Sequence, residues 1–392
     1  MKIPFLDLRA QNNSIKQDLD RKIQEVISSQ SFILGSEVEA LEKEIADYCG
    51  VQYGIGVSSG TDGLLACLMA LEVGHEDIVV TTPFSFFATV GVIARLGARA
   101  LFCDIEPQTW NIDPEKLEDA LKSEHVNRSS SSIKAIIPVH VYGQCADMAP
   151  IMSLAKSHHI PVVEDGAQAI GAEYPHIHDR KRANGMGDMG VFSFYPTKNL
   201  GAFGDAGMIV TDREDMAKKL KLLRVHGAKD RYFHEFTGGN FRMDAIQAGV
   251  LRVKLRHLDD WIAKRKSRAA EYDRLFVQSG MIDQGFVQTP KPVYQNSGVL
   301  HYHTYHQYVI RAKYRDKLQM FLKEKGVASA IYYPLSLHLQ KCFSHFGYKR
   351  GAFPESERAT AEVLALPIYP ELGPDQQEFI VASIKEFYEV GD

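Results

Sequence analysis

The sequence predicts an α/β fold built on a mainly parallel sheet. Short, continuous apolar segments recur along the first half of the chain and alternate with longer segments of helical periodicity. Strands that are apolar throughout are typical of sheets buried on both faces, and the intervening helices supply the crossovers that parallel strands require. With 392 residues, 45% of them hydrophobic, the chain is long enough for two domains of ordinary globular composition.

Helices and strands are assigned from periodicity and from local start signals. A helix is predicted to begin at Ser36, which together with Glu39 matches a capping box. Further helices are predicted over Asp62–Leu71 and Met148–His158. The predicted strands are Ile78–Thr81, Ala100–Asp104, Ala135–His140, Pro161–Glu164, Val191–Phe194 and Met208–Thr211.

A domain boundary is predicted near residue 255. An amphipathic helical segment begins near Met243 and is long enough to lead out of the first domain. The segment 288–298 has the composition of a loop that bridges into a smaller unit. We therefore assign residues 1–255 to a large α/β domain and residues 256–392 to a smaller C-terminal α+β domain.

Composition argues against several classes of function. A formal net charge of −4, with acids and bases interspersed, predicts no basic surface for nucleic acid or for a membrane. No segment reaches the roughly 18 apolar residues of a membrane span, and the N-terminus lacks a signal-peptide pattern, so we expect a cytoplasmic protein. Five scattered cysteines without a C-x-x-C pair favour reduced thiols. The spacing of His301, His303 and His306 does not put three side chains on one strand face, so no metal site is predicted.

Lys198 and Asp165 together indicate a site for pyridoxal 5′-phosphate (PLP). Lys198 lies in the run FSFYPTKNLGAFGDAG, whose glycines permit a close approach to a cofactor and whose apolar residues desolvate an amine that must form a Schiff base. Asp165 follows the predicted strand Pro161–Glu164, where its carboxylate could keep the pyridine nitrogen of the cofactor protonated. Taken alone, Lys198 is better explained as an exposed loop lysine and Asp165 as a helix cap, but the two residues together favour a cofactor site.

The chain resembles the DegT/DnrJ/EryC1/StrS group of sugar aminotransferases over nearly its whole length. The resemblance is carried by collinear motifs that include FILGSEVEALEKEIADYCGVQYGIGVSSGTDGL, PVHVYGQCADM, VEDGAQAIGA, SFYPTKNLGAFGDAG, GGNFRMDAIQAGVLRVKL and YYPLSLHLQ. It implies the fold of aspartate aminotransferase, PLP fold type I, with a mainly parallel seven-stranded sheet in the large domain. It also implies a PLP-dependent transaminase that works as a homodimer with shared active sites.

The resemblance implies further contacts to the cofactor. The SSGTDG turn leads into a helix, and a helix N-terminus suits an anion. Gly60 and Thr61 are implied to contact the phosphate, as is Ser193, while Asp62 would supply its backbone N–H. Phe86 is implied to stack on the cofactor ring, although core packing is the alternative for each phenylalanine of its FSFF run.

Other residues are implied to contact the cofactor's oxygen or the substrate. Gln168 resembles the family's ligand of the phenolic oxygen, which a neutral amide can stabilise. Asn240 and Arg242 lie in GGNFRMD, a loop implied to reach the neighbouring subunit, with Asn240 at the phosphate and Arg242 in the substrate pocket. The remaining predicted substrate contacts are Tyr332, Tyr333 and His338, for which aromatic packing or solvation is the alternative.

The reaction implied is transfer of an amino group from L-glutamate, which leaves as 2-oxoglutarate, to a nucleotide-linked keto sugar. Lys198 would move the proton in both half-reactions. HGAKDRYFHEF and GGNFRMDAIQAGVLRVKL look more like the branch that aminates C3 of the hexose, predicting a UDP- or dTDP-linked 3-keto hexose and a role in lipopolysaccharide or glycan biosynthesis. The alternatives are a 4-keto sugar aminotransferase, a PLP-dependent sugar dehydratase, in which histidine would replace Lys198, and a non-catalytic regulator, which would need no intact cofactor site.

Overall fold

The computed structural model describes residues 1–122, 132–175 and 182–390. Its seven central strands form one sheet, in which isolated parallel bridges join a four-stranded part to a three-stranded part. In chain order they are β1 (Tyr53–Val57), β2 (Ile78–Thr81), β3 (Arg99–Phe102), β4 (Ile133–Ile137), β5 (Val163–Asp165), β6 (Met189–Ser193) and β7 (Gly207–Thr211). The spatial order is β1–β7–β6–β5–β4–β2–β3, and β7 is antiparallel to both of its neighbours while every other pair is parallel. This confirms the mainly parallel sheet predicted from the sequence.

Helices pack on both faces of this sheet. One face carries α4 (Gly60–Ala70), α5 (Phe87–Arg95) and α8 (Glu214–Leu223). The other face carries α3 (Ser36–Cys49), α6 (Pro114–Lys122), α7 (Met148–Ser157) and α9 (Ala245–Leu255). In β7, Ile209 is buried on the first face, and its neighbours Met208 and Val210 are buried on the second. A strand such as β7 is therefore apolar along its length because neither of its faces meets water.

Two local features differ from the sequence predictions. The capping box was wrong: α3 begins at Ser36, but its N-cap is Gly35 and no side chain caps it. Strand β1 was missed because Gly54 and Gly56 interrupt its apolar pattern. A Cβ on Gly54 would lie 2.3 Å from the Glu42 carbonyl oxygen, so glycine is required for α3 to pack this closely on β1.

A second core forms around a three-stranded antiparallel sheet. Its strands are β10 (Val287–Gln288), β11 (Tyr308–Ala312) and β12 (Val363–Leu366), with β11 in the centre. The helices associated with this half of the chain are α10 (Leu258–Ser279), α11 (Arg315–Glu324), α12 (Pro354–Glu362) and α13 (Pro374–Val390). Two short helices, α1 (Leu8–Ser14) and α2 (Lys16–Ser29), precede α3, and a small hairpin, β8 (Ala228–Asp230) and β9 (Phe233–His234), follows α8.

The chain passes between the two cores along α10. Leu258 and Ile262 at its start pack with α3 and α9 against the seven-stranded sheet, and Tyr272 and Phe276 near its end pack in the second core. At the N-terminus, Ile3 also belongs to the second core. The domain boundary near residue 255 stays a prediction. None of the helices described is long and apolar enough to cross a membrane.

Candidate active site

A cavity of about 530 Å³ lies off the carboxyl ends of the sheet strands. Its lining includes the turn after β1, Asp165 at the end of β5 and Ser193 at the end of β6. Loops that follow parallel strands meet at this edge of a sheet, which is where ligands bind in open α/β folds. Of the predicted site residues, the cavity brings together Gly60, Thr61, Phe86, Asp165, Gln168, Ser193, Lys198, Tyr332 and Tyr333.

The Asp165 carboxyl is buried and bonded by neutral donors. Thr89 Oγ1 on α5 donates to Asp165 Oδ2 at 2.8 Å, and the Ala167 N–H donates to Oδ1 at 3.2 Å. Burial raises the pKa of Asp165, an effect that these two hydrogen bonds and the charge of Lys198 oppose. The carboxylate is therefore held in place but lacks a hydrogen-bonded cation among the described residues.

Lys198 lies in a tightly folded loop between β6 and β7. Its N–H donates to the Tyr195 carbonyl at 2.8 Å, and the Ala202 N–H donates to the Phe194 carbonyl at 2.8 Å. Burial lowers the pKa of Lys198 to about 8, although the nearby Asp165 carboxylate acts in the opposite direction. A larger share of this amine is consequently unprotonated near neutral pH than in an ordinary lysine.

Glycines form a close-packed turn at the start of α4. A Cβ on Gly60 would lie 2.8 Å from Ser193 Cβ, and a Cβ on Gly207 would lie 2.7 Å from the Gly60 nitrogen. Ser59 is the N-cap, and its Oγ accepts the Asp62 N–H at 3.0 Å, so the N–H predicted to reach the phosphate is already bonded within the cap. The first N–H groups of a helix have no intrahelical partner, so Gly60 and Thr61 can offer theirs to an anion.

Gln168 joins the two halves of the cavity wall. Its Oε1 accepts the Tyr142 N–H at 2.8 Å, and its Nε2 donates to the Tyr333 hydroxyl at 2.8 Å. The Tyr142 hydroxyl donates in turn to the Tyr332 carbonyl oxygen. Tyr332 and Tyr333, the two tyrosines predicted to face the substrate, are thus held by residues that follow strands β4 and β5.

Of the three phenylalanines in the FSFF run, Phe86 lines the cavity. It is 57% exposed, and its ring centroid is 6.4 Å from that of Tyr333. Phe84 is buried, and Phe87 stacks on Phe343 with ring centroids 5.1 Å apart. Phe86 is therefore the ring of this run available to a molecule in the cavity.

Asn240 and Arg242 lie outside the lining of the cavity in this chain. Arg242 Nε donates to Asn240 Oδ1 at 2.7 Å, and the bond between them is exposed. The segment runs beside β1, where Val57 bridges to Arg242 and the Ser58 N–H donates to the Phe241 carbonyl at 2.9 Å. Their predicted role in a neighbouring subunit stays a prediction.

The structure does not place His338 in the cavity, which corrects its assignment as a substrate contact. A one-turn 3₁₀ helix, Leu337–Leu339, directs its ring inward, where it is 2% exposed and packs edge-on against Phe353. Its Nδ1 is 2.9 Å from Ser336 Oγ, and its Nε2 is 3.1 Å from Glu357 Oε1. With both ring nitrogens engaged in the interior, the imidazole has no capacity left for a substrate.

Sequence reasoning missed several residues at the site. Thr89 lies three residues after Phe86, and this spacing of one helical turn could have identified it. Asp205 also lines the cavity, as do His306 and Gln307. The sequence analysis weighed His306 only as a metal ligand, together with His301 and His303. Among the described residues, no group of three or more His, Cys, Asp or Glu side chains could hold a metal ion.

Comparison with known proteins gives one consistent family. The sequence profile of the DegT/DnrJ/EryC1/StrS aminotransferase family matches residues 13–385. A protein of Geobacillus stearothermophilus named pleiotropic regulatory protein is 47% identical over 99% of both chains. The UDP-2-acetamido-2-deoxy-3-oxo-D-glucuronate aminotransferase of Pseudomonas aeruginosa is 37% identical over 97% of this chain and 99% of its own. Among solved structures, NtdA from Bacillus subtilis with bound PMP superposes with a TM-score of 0.87 at 29% identity, covering 100% of this chain and 86% of NtdA.

Proposed function

The chain belongs to the DegT/DnrJ/EryC1/StrS aminotransferase family and is a PLP-dependent aminotransferase, and we propose that it transfers an amino group from L-glutamate to C3 of a nucleotide-linked keto hexose. Enzyme class and cofactor are confirmed as predicted, and so is the nucleotide-linked keto sugar as the substrate class. The donor and the carbon that is aminated are the proposed elements.

The observation that carries the proposal is the presence of Lys198 and Asp165 in one cavity with a glycine-lined helix N-terminus. These residues fit PLP at three points. The turn at Gly60 and Thr61 suits the phosphate. Asp165, buried and hydrogen-bonded by neutral groups, suits a protonated ring nitrogen, whose positive charge would compensate the carboxylate. Lys198 suits the reactive carbon because burial leaves its amine readily deprotonated.

When bound, PLP carries the amino group between donor and acceptor and withdraws electrons from the carbon that loses its proton. We assign the proton transfers to Lys198 Nζ, which removes a proton from the α-carbon of glutamate and later delivers one to the sugar carbon. The hydrogen bond from Thr89 holds the Asp165 carboxylate in a position where it would stabilise the positive charge of the ring. Phe86 and Gln168 line the same cavity, where the ring of Phe86 would pack on the cofactor ring and the Gln168 amide would supply a hydrogen-bond donor.

We further propose a homodimer in which Asn240 and Arg242 complete the partner's site. The exposed hydrogen bond between their side chains and the absence of both residues from the cavity lining of their own chain support this arrangement. Tyr332 and Tyr333, which line the cavity, are proposed to contact the sugar. All five cysteines are free thiols, which supports a reducing compartment such as the cytoplasm.

Three alternatives are less well supported. The Geobacillus relative is named as a regulatory protein, but a regulator has no need of a buried carboxylate and a lysine of lowered pKa in one cavity. A dehydratase would replace Lys198 with histidine. Amination at C4 differs from amination at C3 in the pose of the hexose, and the Pseudomonas relative, named for a 3-oxo sugar, favours C3.

The proposal is tested by incubating the purified protein with PLP, glutamate and a panel of UDP- and dTDP-linked 3-keto and 4-keto hexoses. Mass spectrometry should detect an amino sugar and an equal amount of 2-oxoglutarate. Formation of 2-oxoglutarate without any amino sugar from the panel would refute the acceptor, and loss of water from the sugar without amination would instead indicate a dehydratase.

A further inference from the structure

Two buried polar side chains on the cavity wall have unused hydrogen-bonding capacity. His306 and Gln307 both line the cavity, and each is 8% exposed. Within the part of the chain that the structure describes, His306 Nδ1 and Gln307 Oε1 have no hydrogen-bond partner. Buried polar atoms without partners are uncommon in folded proteins. Both atoms are buried, so a molecule bound in the cavity would satisfy them once the two side chains turn toward it.

The segment that carries these residues is fixed beside the lysine loop. Thr304 donates its N–H to the Gly143 carbonyl at 2.8 Å, and Gly143 has a φ of +112°. A Cβ on Gly143 would lie 3.1 Å from the His306 nitrogen, so the two segments cross in close contact. Asn199, which follows Lys198 directly, donates its Nδ2 to the Thr304 carbonyl at 3.0 Å. The pair is therefore held close to the amine that moves the proton.

Both side chains are neutral. Burial lowers the pKa of His306 well below its ordinary value, and the positive charges of Lys198 and Arg265 lower it further. His306 Nε2 faces Gln307 Nε2 at 3.4 Å and accepts its N–H, which leaves the ring proton on Nδ1. The pair then offers one donor, His306 Nδ1–H, and one acceptor, Gln307 Oε1. Turning the Gln307 amide over exchanges these roles but still leaves one donor and one acceptor.

We propose that His306 and Gln307 bind a hydroxyl group of the sugar next to the reacting carbon and so determine specificity in the sugar half-reaction. A hydroxyl both donates and accepts, as this pair requires. A carboxylate or phosphate accepts but cannot donate, so it would leave the acceptor of the pair facing an anion. The inference rests on the proposed function, because it assumes a sugar at this site.

The test separates the two half-reactions in the dimeric holoenzyme. Wild type in its PLP form is mixed in single turnovers with glutamate or with an amino sugar, and the cofactor absorbance reports conversion. The amino sugars are a UDP-linked 2-acetamido-3-amino hexose, a dTDP-linked 3-amino-3,6-dideoxyhexose and a dTDP-linked 4-amino-4,6-dideoxyhexose. The variants are His306→Phe and Gln307→Met, with His306→Asn as a conservative replacement that retains an amide donor.

We expect His306→Phe and Gln307→Met each to lower the single-turnover kcat/KM for the reactive amino sugar about tenfold, the usual effect of losing one neutral hydrogen bond. The glutamate half-reaction should stay within about twofold of wild type. His306→Asn should recover part of the loss. The matched control is His303→Phe: His303 lies in the same segment, is 4% exposed and stacks on Tyr305 outside the cavity lining, so both half-reactions should persist.

Each other outcome overturns the inference. Equal losses in both half-reactions would mean that the pair acts on the fold or on the cofactor, and a loss confined to glutamate would make it a donor subsite. Unchanged sugar kinetics would show that the pair binds nothing. A wild type that reacts with glutamate but with none of the three amino sugars would refute the sugar function and this subsite together, whereas normal wild-type turnover with unaffected variants refutes the subsite alone.

Discussion

The lowered pKa of Lys198 makes a quantitative prediction about how the protein captures PLP. At pH 7 an amine with a pKa of about 8 is unprotonated about one tenth of the time, whereas an ordinary lysine with a pKa of 10.5 is unprotonated about once in three thousand. Capture of PLP requires the unprotonated amine. We therefore expect apoprotein to capture PLP at pH 7 about 300 times faster than an unperturbed lysine of equal reactivity would.

The sign of the effect sets the shape of the pH profile. Burial lowers the pKa of Lys198 in the folded protein, so the unprotonated amine accumulates as pH rises, reaches half at about pH 8 and is nearly complete above about pH 9. Stopped-flow absorbance, with borohydride trapping to confirm the covalent link, should show a rate that rises tenfold per pH unit below 8 and then levels. A rate that still rises tenfold per unit between pH 8.5 and 9.5 would refute the reasoning.

A second buried lysine provides the control for this experiment. Burial also lowers the pKa of Lys254 to about 8, and its Nζ donates to the Gly201 carbonyl at 2.8 Å. Lys254 does not line the cavity, so Lys254→Met should capture PLP with an unchanged midpoint near pH 8. Lys198→Met should show no covalent capture of PLP. Capture by this variant with the wild-type pH profile would show that another amine is the reactive one.

Three further predictions address the other groups of the site. Asp165→Ala should lower the single-turnover rate of the glutamate half-reaction far more than glutamate affinity, because the ring loses its charge partner; a loss of affinity alone would make Asp165 structural. Mixing Lys198→Ala with an inactive Asn240→Ala or Arg242→Ala variant should restore activity, since one hybrid site contains every group. Failure to recover activity in a mixture shown to exchange subunits would exclude a shared site. NMR of the product should place the new C–N bond at C3 of the hexose, and an amine at C4 would overturn the proposed position.

The sequence predicted the sheet well because its strands are buried on both faces. Six of the seven strands overlap a predicted strand, because each includes or adjoins a short apolar run that can be recognised without knowledge of tertiary contacts. Strand β1 was not predicted because Gly54 and Gly56 are required by the close packing of α3, and a local sequence pattern does not reveal this packing. The capping box at Ser36 failed for a related reason, since Gly35 takes the N-cap position and moves Ser36 into the first turn.

The sequence could predict which residues at strand ends and in motifs come together in the cavity, but not the contacts that depend on the orientation of a side chain. Lys198 and Asp165 follow strands whose carboxyl ends meet, so the topology alone brings them together. His338 carries the right chemistry, but a single 3₁₀ turn directs its ring into the interior. His306 and Gln307 reach the cavity through a crossing with Gly143, more than 150 residues away in sequence, which no local spacing reveals.

The central claim is that Lys198 makes this protein an aminotransferase for a nucleotide-linked keto sugar. The most direct test incubates wild type and Lys198→Ala, each with PLP, with the reactive keto sugar and L-glutamate labelled with nitrogen-15 at the α-amino group. Mass spectrometry should find the label in the amino sugar made by wild type and a yield lower by several orders of magnitude with Lys198→Ala, which should still bind PLP noncovalently. Unlabelled product from wild type, or near-normal labelled product from Lys198→Ala, would contradict the account.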